Sequence, residues 1–199
     1  MKFVVLADDI LWEILSDRTE NIEWTRAVNF ENFISINDAD AYFNLMPDAS
    51  QQNYTTLLNP VFINSVVHTL AQIQKNENSI RINAWPGFVE KNLWEVAGNV
   101  DSEIAMILKA IGKNYIAVND EPGFVSARVI AMIINEAYFA KEDNVSTEAE
   151  IDIAMKLGTN YPYGPFEWAS IIGKENVVAL LNAMAVEDDK YTPSKEMVK

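Results

Sequence analysis

The sequence predicts an α/β sheet domain followed by an all-α domain, and three observations carry that reading. Short runs rich in β-branched and aromatic residues alternate with helical patterns as far as about residue 118. Beyond Asp120 only helical periodicity remains. The change of regime falls at Val118 to Glu121, just ahead of Pro122-Gly123, and sets the expected domains at 1–119 and 120–199.

In the first domain, residues 3–7, 23–28, 41–46, 79–84 and 115–118 read as strands. Strands separated by helical patterns imply parallel crossovers. Residues 10–15, 62–73 and 102–111 carry apolar side chains at helical spacing, and Gly112 stands where a C-terminal cap belongs. In the second domain, residues 124–142 are apolar around most of a helical circumference, so that helix must be buried on several sides. Thr147 and Glu150 form a capping box for a second helix ending at Gly158. Gly164-Pro165 opens a third, ending at Gly173, and residues 187–199 read as a polar tail.

Composition removes several function classes. With 199 residues and 49% hydrophobic content, the chain can build a core without metal or disulfide support. The absence of cysteine excludes a disulfide framework, a thiolate zinc site and a cysteine nucleophile, and fits a cytoplasmic protein. Twenty-nine acids against fifteen bases give a formal charge of −14, which repels nucleic acid and anionic membranes. The longest apolar stretch, 124–134, contains Arg128 and is too short to span a bilayer, and the hydrophobic start runs directly into Asp8-Asp9, too soon for a secretory signal. No metal site is expected.

Residues 119–198 resemble the helical C-terminal domain of the 3-hydroxyacyl-CoA dehydrogenases in order and spacing. The matching text is Asp120-Glu121-Pro122-Gly123-Phe124-Val125, then Arg128, Asn135-Glu136-Ala137, Ile151-Asp152 with Ala154-Met155-Lys156-Leu157-Gly158, Tyr161-Pro162 with Gly164-Pro165-Phe166-Glu167, and Tyr191-Thr192-Pro193-Ser194. Ahead of them, Asn83-Ala84-Trp85-Pro86-Gly87 and Leu93-Trp94-Glu95-Val96 occupy the frame of the family's His-Phe-Phe-Asn-Pro signature and its downstream Glu-Val. Residues 1–60 match only as strand, helix, strand, with a shortening between Leu15 and Ala39. The resemblance implies a Rossmann-like sheet domain, here degenerate, and NAD as the family's cofactor.

The same resemblance implies that the site has decayed. The family holds the NAD diphosphate on a glycine-rich turn, and the three glycine positions are filled here by Ala7, Asp9 and Trp12. Asp9 brings a carboxylate towards a diphosphate, and Asp8 or Asp9 is expected to cap the following helix in its place. Asn83 stands at the family's catalytic histidine, and an amide cannot serve as a general base near neutral pH. Glu95 keeps the glutamate that braces that histidine. Val61, after Asn59-Pro60, is placed at the active-site serine, and Ala127 at the asparagine beyond the Gly-Phe pair. The sole histidine, His68, is expected on a flanking helix as a surface or satisfied imidazole rather than a relocated base.

Selective loss of these groups favours a non-catalytic relative with no bound cofactor. Its expected role is that of a homodimeric scaffold held by the helical domain, a partner subunit for an active paralogue, or an acyl-group sensor. The alternatives are an active NAD-dependent 3-hydroxyacyl-CoA or 3-hydroxybutyryl-CoA dehydrogenase of fatty-acid metabolism, and a CoA-thioester binding module. The acidic balance speaks against the last, because CoA phosphates call for Lys or Arg.

Overall fold

A computed structural model describes residues 1–16 and 21–199. Residues 17–20 lie outside the described residues, and with them part of the stretch expected to be shortened. The chain divides into two compact units, Met1–Phe124 and Val125–Lys199. Residues 120–124 thus belong to the sheet unit rather than to the helical domain, where the sequence reading had put them.

The first unit is a seven-stranded sheet built from β1 (Lys2–Leu6), β2 (Glu23–Arg26), β3 (Ala41–Asn44), β4 (Val61–Asn64), β5 (Ser79–Ile82), β6 (Leu93–Ala97) and β7 (Asn114–Ala117), in the order β2-β1-β3-β4-β5-β6-β7. All neighbours are parallel except β5 and β6. That exception corrects the expectation of uniform parallel crossovers. The connection 83–92 contains no helix, and a parallel crossover needs about a dozen or more residues, so the chain returns antiparallel.

Alternation along the strands fills two cores. Phe3, Val5, Phe43, Phe62, Ile80 and Ile82 face one side, under Leu15 of α1 (Asp9–Ser16) and Ile104, Ile107 and Leu108 of α3 (Ser102–Ala110). Val4, Leu6, Tyr42, Val61 and Ile63 face the other, under Phe33 of α2 (Phe30–Ser35) and the loop residues Tyr54 and Leu57. Asp101 caps α3 through the amides of Glu103 and Ile104, and Gly112, with φ of 70°, follows its end.

Residues 62–73 are not a helix. β4 occupies the start of that run, and a 3-10 turn, Leu70–Gln72, lies near its end. Val61, Phe62 and Ile63 are buried inside the sheet on both faces, so their apolar run has no alternation to separate strand from helix.

The second unit wraps α4 (Ser126–Glu142) with α5 (Glu148–Thr159), α6 (Pro165–Ile172), α7 (Lys174–Ala185) and α8 (Lys195–Val198). The capping box at α5 is present, with Thr147 and Glu150 each bonded to the other's backbone amide. Hydrogen bonds from Ser146 and Thr147 hold the Glu150 carboxyl below its ordinary pKa. Buried Asp152 caps α6 by accepting from the amides of Phe166 at 2.8 Å and Glu167 at 3.2 Å. A Cβ at Gly164 would stand 2.2 Å from that carboxylate, which explains the glycine. The polar tail is a packed element: Asn135 binds Ser194 N at 2.8 Å and Thr192 O at 3.0 Å, and Met197 is fully buried.

Candidate functional site

In open α/β sheets, ligands bind beyond the carboxyl ends of the strands where the strand order reverses. Here that point lies between β1 and β3. The turn leaving β1 is held by the chain's own side chains. The Asp8 carboxylate accepts from Leu11 N at 2.8 Å, so it takes a helix N-terminal donor that a phosphate would otherwise use. Arg26, at the end of β2, pairs with the Asp9 carboxylate at 2.7 Å and donates to the Ala7 carbonyl at 3.0 Å. Its guanidinium lies 5.8 Å over the Trp12 ring, which meets Trp24 edge-on at 6.5 Å. An NAD diphosphate does not fit these residues. It would lose the amide that Asp8 occupies, face the Asp9 charge, and meet an indole where close approach needs glycine.

Further along the same edge, three buried asparagines close the loops over the strand ends. Asn44, the last residue of β3, donates to the Tyr54 hydroxyl at 2.8 Å and accepts from Met46 N at 3.1 Å. Tyr54 in turn donates to Ala49 O at 2.7 Å, and burial pushes its phenol well above the ordinary pKa. Asn64 donates to Leu45 O at 3.1 Å and accepts from Ala84 N at 3.2 Å. Asn83 accepts from Trp85 N at 3.2 Å. Their amide groups are thus engaged in holding backbone.

The antiparallel pairing sets Arg81 opposite Ala97 and Ile82 opposite Val96, and continuing that register one residue beyond β5 brings Asn83 level with Glu95. Val61, placed at the family's serine from sequence, opens β4 at the amino edge of the sheet, away from the carboxyl ends of the strands where ligands bind. The residues at the carboxyl end of that strand are Asn64, Ser65 and Val66. Ala127 is fully buried in the first turn of α4, in the other compact unit. His68 stands in a loop after β4, not on a helix, exposed and 3.1 Å from Ser50 Oγ through Nδ1. Among the described residues no group of three or more His, Cys, Asp or Glu could hold a metal ion.

Arg81 was not singled out from sequence. Its side chain is fully buried, donates through Nε to Ser65 O at 2.9 Å and through Nη2 to Val66 O at 3.3 Å, and pairs with Asp120. The guanidinium also reaches Glu121 O at 3.3 Å and lies 4.7 Å over the Phe124 ring. Burial lowers its pKa and Asp120 opposes that shift. The available signal was a lone cation inside the apolar strand Ser-Ile-Arg-Ile, since a buried charge requires a partner.

Comparison with known proteins agrees with the geometry. Residues 123–199 match the family described as 3-hydroxyacyl-CoA dehydrogenase, C-terminal domain. The chain is 40% identical over 88 residues to a 3-hydroxyadipyl-CoA dehydrogenase of Escherichia coli, covering 43% of this chain and 18% of that protein. It is 36% identical over 111 residues to a 3-hydroxybutyryl-CoA dehydrogenase of Clostridioides difficile, covering 52% of this chain and 40% of that one. It therefore spans less than half the length of these relatives. The solved (S)-3-hydroxybutyryl-CoA dehydrogenase of Ralstonia eutropha superposes with a TM-score of 0.67 at 24% identity, over 89% of this chain and 68% of that one. The helical unit thus matches the 3-hydroxyacyl-CoA dehydrogenase C-terminal domain, and the sheet unit ahead of it has a Rossmann-like fold.

Proposed function

We propose that the chain is a 3-hydroxyacyl-CoA dehydrogenase-like protein without NAD-dependent activity, acting as a homodimeric scaffold or as a partner subunit to an active paralogue. The observation that carries this reading is the closed turn after β1, where Asp8 caps α1 and Asp9 pairs with Arg26 in the place of a diphosphate. Asn83 adds to it: an amide bonded to Trp85 N can orient a group but cannot take its proton. An active dehydrogenase is the competing reading, favoured by the names of the relatives. Titration with NADH, followed by energy transfer from tryptophan, separates the two. Saturation with a dissociation constant below about 100 μM, near −5.5 kcal/mol, would overturn the proposal.

The dimer is proposed through the helical unit, on a different surface from the one the sequence suggested. Most of the apolar circumference of α4 is taken up by its own neighbours, with Ile130, Ala131, Ile134 and Ala137 buried. Among the apolar side chains that stay exposed, Leu157 (84%) and Ile153 (53%) share one face of α5. A groove of about 270 Å³ between α4 and α5, lined by Ile133, Ala140, Ile151, Met155 and Pro165, lies on the other side of that helix. The exposed face of α5 supports an interface with a second copy.

A further inference from the structure

The two edges of the sheet are built differently. β2 closes one edge with Glu23 and Arg26, charges of the kind that discourage strand pairing. β7 closes the other with Asn114-Tyr115-Ile116-Ala117, which carries no charge and no proline and is exposed along its whole length. Its inward hydrogen bonds run from Asn114 N to Asn92 O at 2.8 Å and from Val118 N to Val96 O at 2.9 Å. In a parallel ladder alternate residues bond to the same neighbour, so the peptide groups of Tyr115 and Ala117 point away from β6.

We propose that this edge is an interaction surface whose occupant is β7 of a second copy, added antiparallel about a two-fold axis at Ile116. The strand is self-complementary in that register. Tyr115 of each copy faces Ala117 of the other as a hydrogen-bonded pair, large against small, and the outward peptide groups are satisfied. Ile116 faces its own copy across the axis as the closer, non-hydrogen-bonded pair, and is 49% exposed in the single chain. Charge favours this strand over other surfaces for self-association. Two chains of formal charge −14 repel one another broadly, whereas pairing here brings no carboxylate against another. The inference is independent of the α5 interface.

The chain contains no cysteine, so one can be placed at will. In the proposed pair, the two Ile116 Cα atoms stand about 4.5 Å apart, inside the span of about 4.4–6.8 Å that a disulfide bridges. The test uses the full chain carrying Leu157→Glu, which removes the α5 interface, with Ile116→Cys or, as control, Met106→Cys on the exposed face of α3. Mild oxidation is expected to link Ile116→Cys into a covalent dimer at least tenfold faster than Met106→Cys. Adding Ala117→Pro, which deletes an outward N–H, should abolish the difference. Tyr115→Lys serves the same purpose should the proline disturb folding. Equal rates at the two positions, or linkage that survives both edge substitutions, would overturn the proposal, including the case in which the edge receives a strand from another protein. Hydrogen exchange gives a second readout, because protection of the Tyr115 and Ala117 amides must rise with protein concentration.

Discussion

Asn83 comes level with Glu95 in the frame of a histidine braced by a glutamate, and substituting the histidine back tests how much of the site depends on that one group. General-base catalysis is worth on the order of 10²–10⁴ in rate. It acts only on a substrate already positioned, which contributes about 7–11 kcal/mol in favourable cases. Asn83→His is therefore expected to leave NADH consumption with acetoacetyl-CoA at the background rate. Steady turnover by the wild type would instead show that a cofactor binds without the glycines. Ala127 is fully buried, so asparagine there reports on packing rather than on chemistry. Gly164 is a sharper test of structure. A methyl group would stand 2.2 Å from the Asp152 carboxylate that caps α6, so Gly164→Ala must displace the cap. A loss of about 1–3 kcal/mol is expected from such overpacking, with a cap lost at about 1 kcal/mol besides, measured by urea unfolding. An unchanged midpoint would mean that α6 moves freely against α5.

Arg81 acts at the scale of elements, because one side chain joins the exit of β4 at Ser65 and Val66 to the segment 120–124. Arg81→Ala leaves Asp120 without its guanidinium and takes a donor from three carbonyls, of which Val66 O keeps the Gly123 amide. Asp120 is partly exposed and keeps the Leu70 amide, so the cost comes mainly from buried carbonyls left without a donor, about 1–3 kcal/mol each, and thermal unfolding of the sheet unit should fall accordingly. A change within about 0.5 kcal/mol, the range of an ordinary surface substitution, would show the network to be dispensable. Asp120 also explains why the break between the units lies after Phe124: its carboxylate accepts from Leu70 N at 2.9 Å and pairs with Arg81. From sequence, Asp120-Glu121-Pro122-Gly123 looked like the start of the helical domain because the proline and glycine announce a helix. The partners of Asp120, some 39 and 50 positions earlier, leave no local trace. Elements with a local signature were legible: five strands, α1, α3, the Thr147/Glu150 box and the Gly164-Pro165 start. β4 was not, since a strand buried on both faces has no period to read. That Asn83 cannot act as a general base is read from residue type alone. The Asp9–Arg26 pair was not legible, because it joins the start of α1 to the end of β2, 17 positions apart in sequence.

At the scale of the whole molecule, self-association and cofactor response are the two properties that separate the proposal from an active dehydrogenase. Leu157→Glu puts a carboxylate into the exposed face of α5 on a chain already at −14, and is expected to remove one association step in light scattering, towards the 22.4 kDa chain mass. A wild type that is already a monomer of that mass at micromolar concentration would count against both interfaces. The cofactor response follows from mass action. A ligand at 100 times its dissociation constant stabilises the native state by about 2.7 kcal/mol. For a chain of this size, that corresponds to a rise of roughly 5–11 °C in melting temperature. With Asp8 holding the Leu11 amide and Asp9 paired with Arg26, 1 mM NADH is expected to stand far below its dissociation constant. At a tenth of that constant the gain is only about 0.06 kcal/mol. The melting temperature of the wild type is thus expected to move by less than about half a degree in 1 mM NADH. A rise of several degrees would mean that the β1 turn opens to receive the nucleotide, and the Asp9–Arg26 pair would then be a gate rather than a replacement.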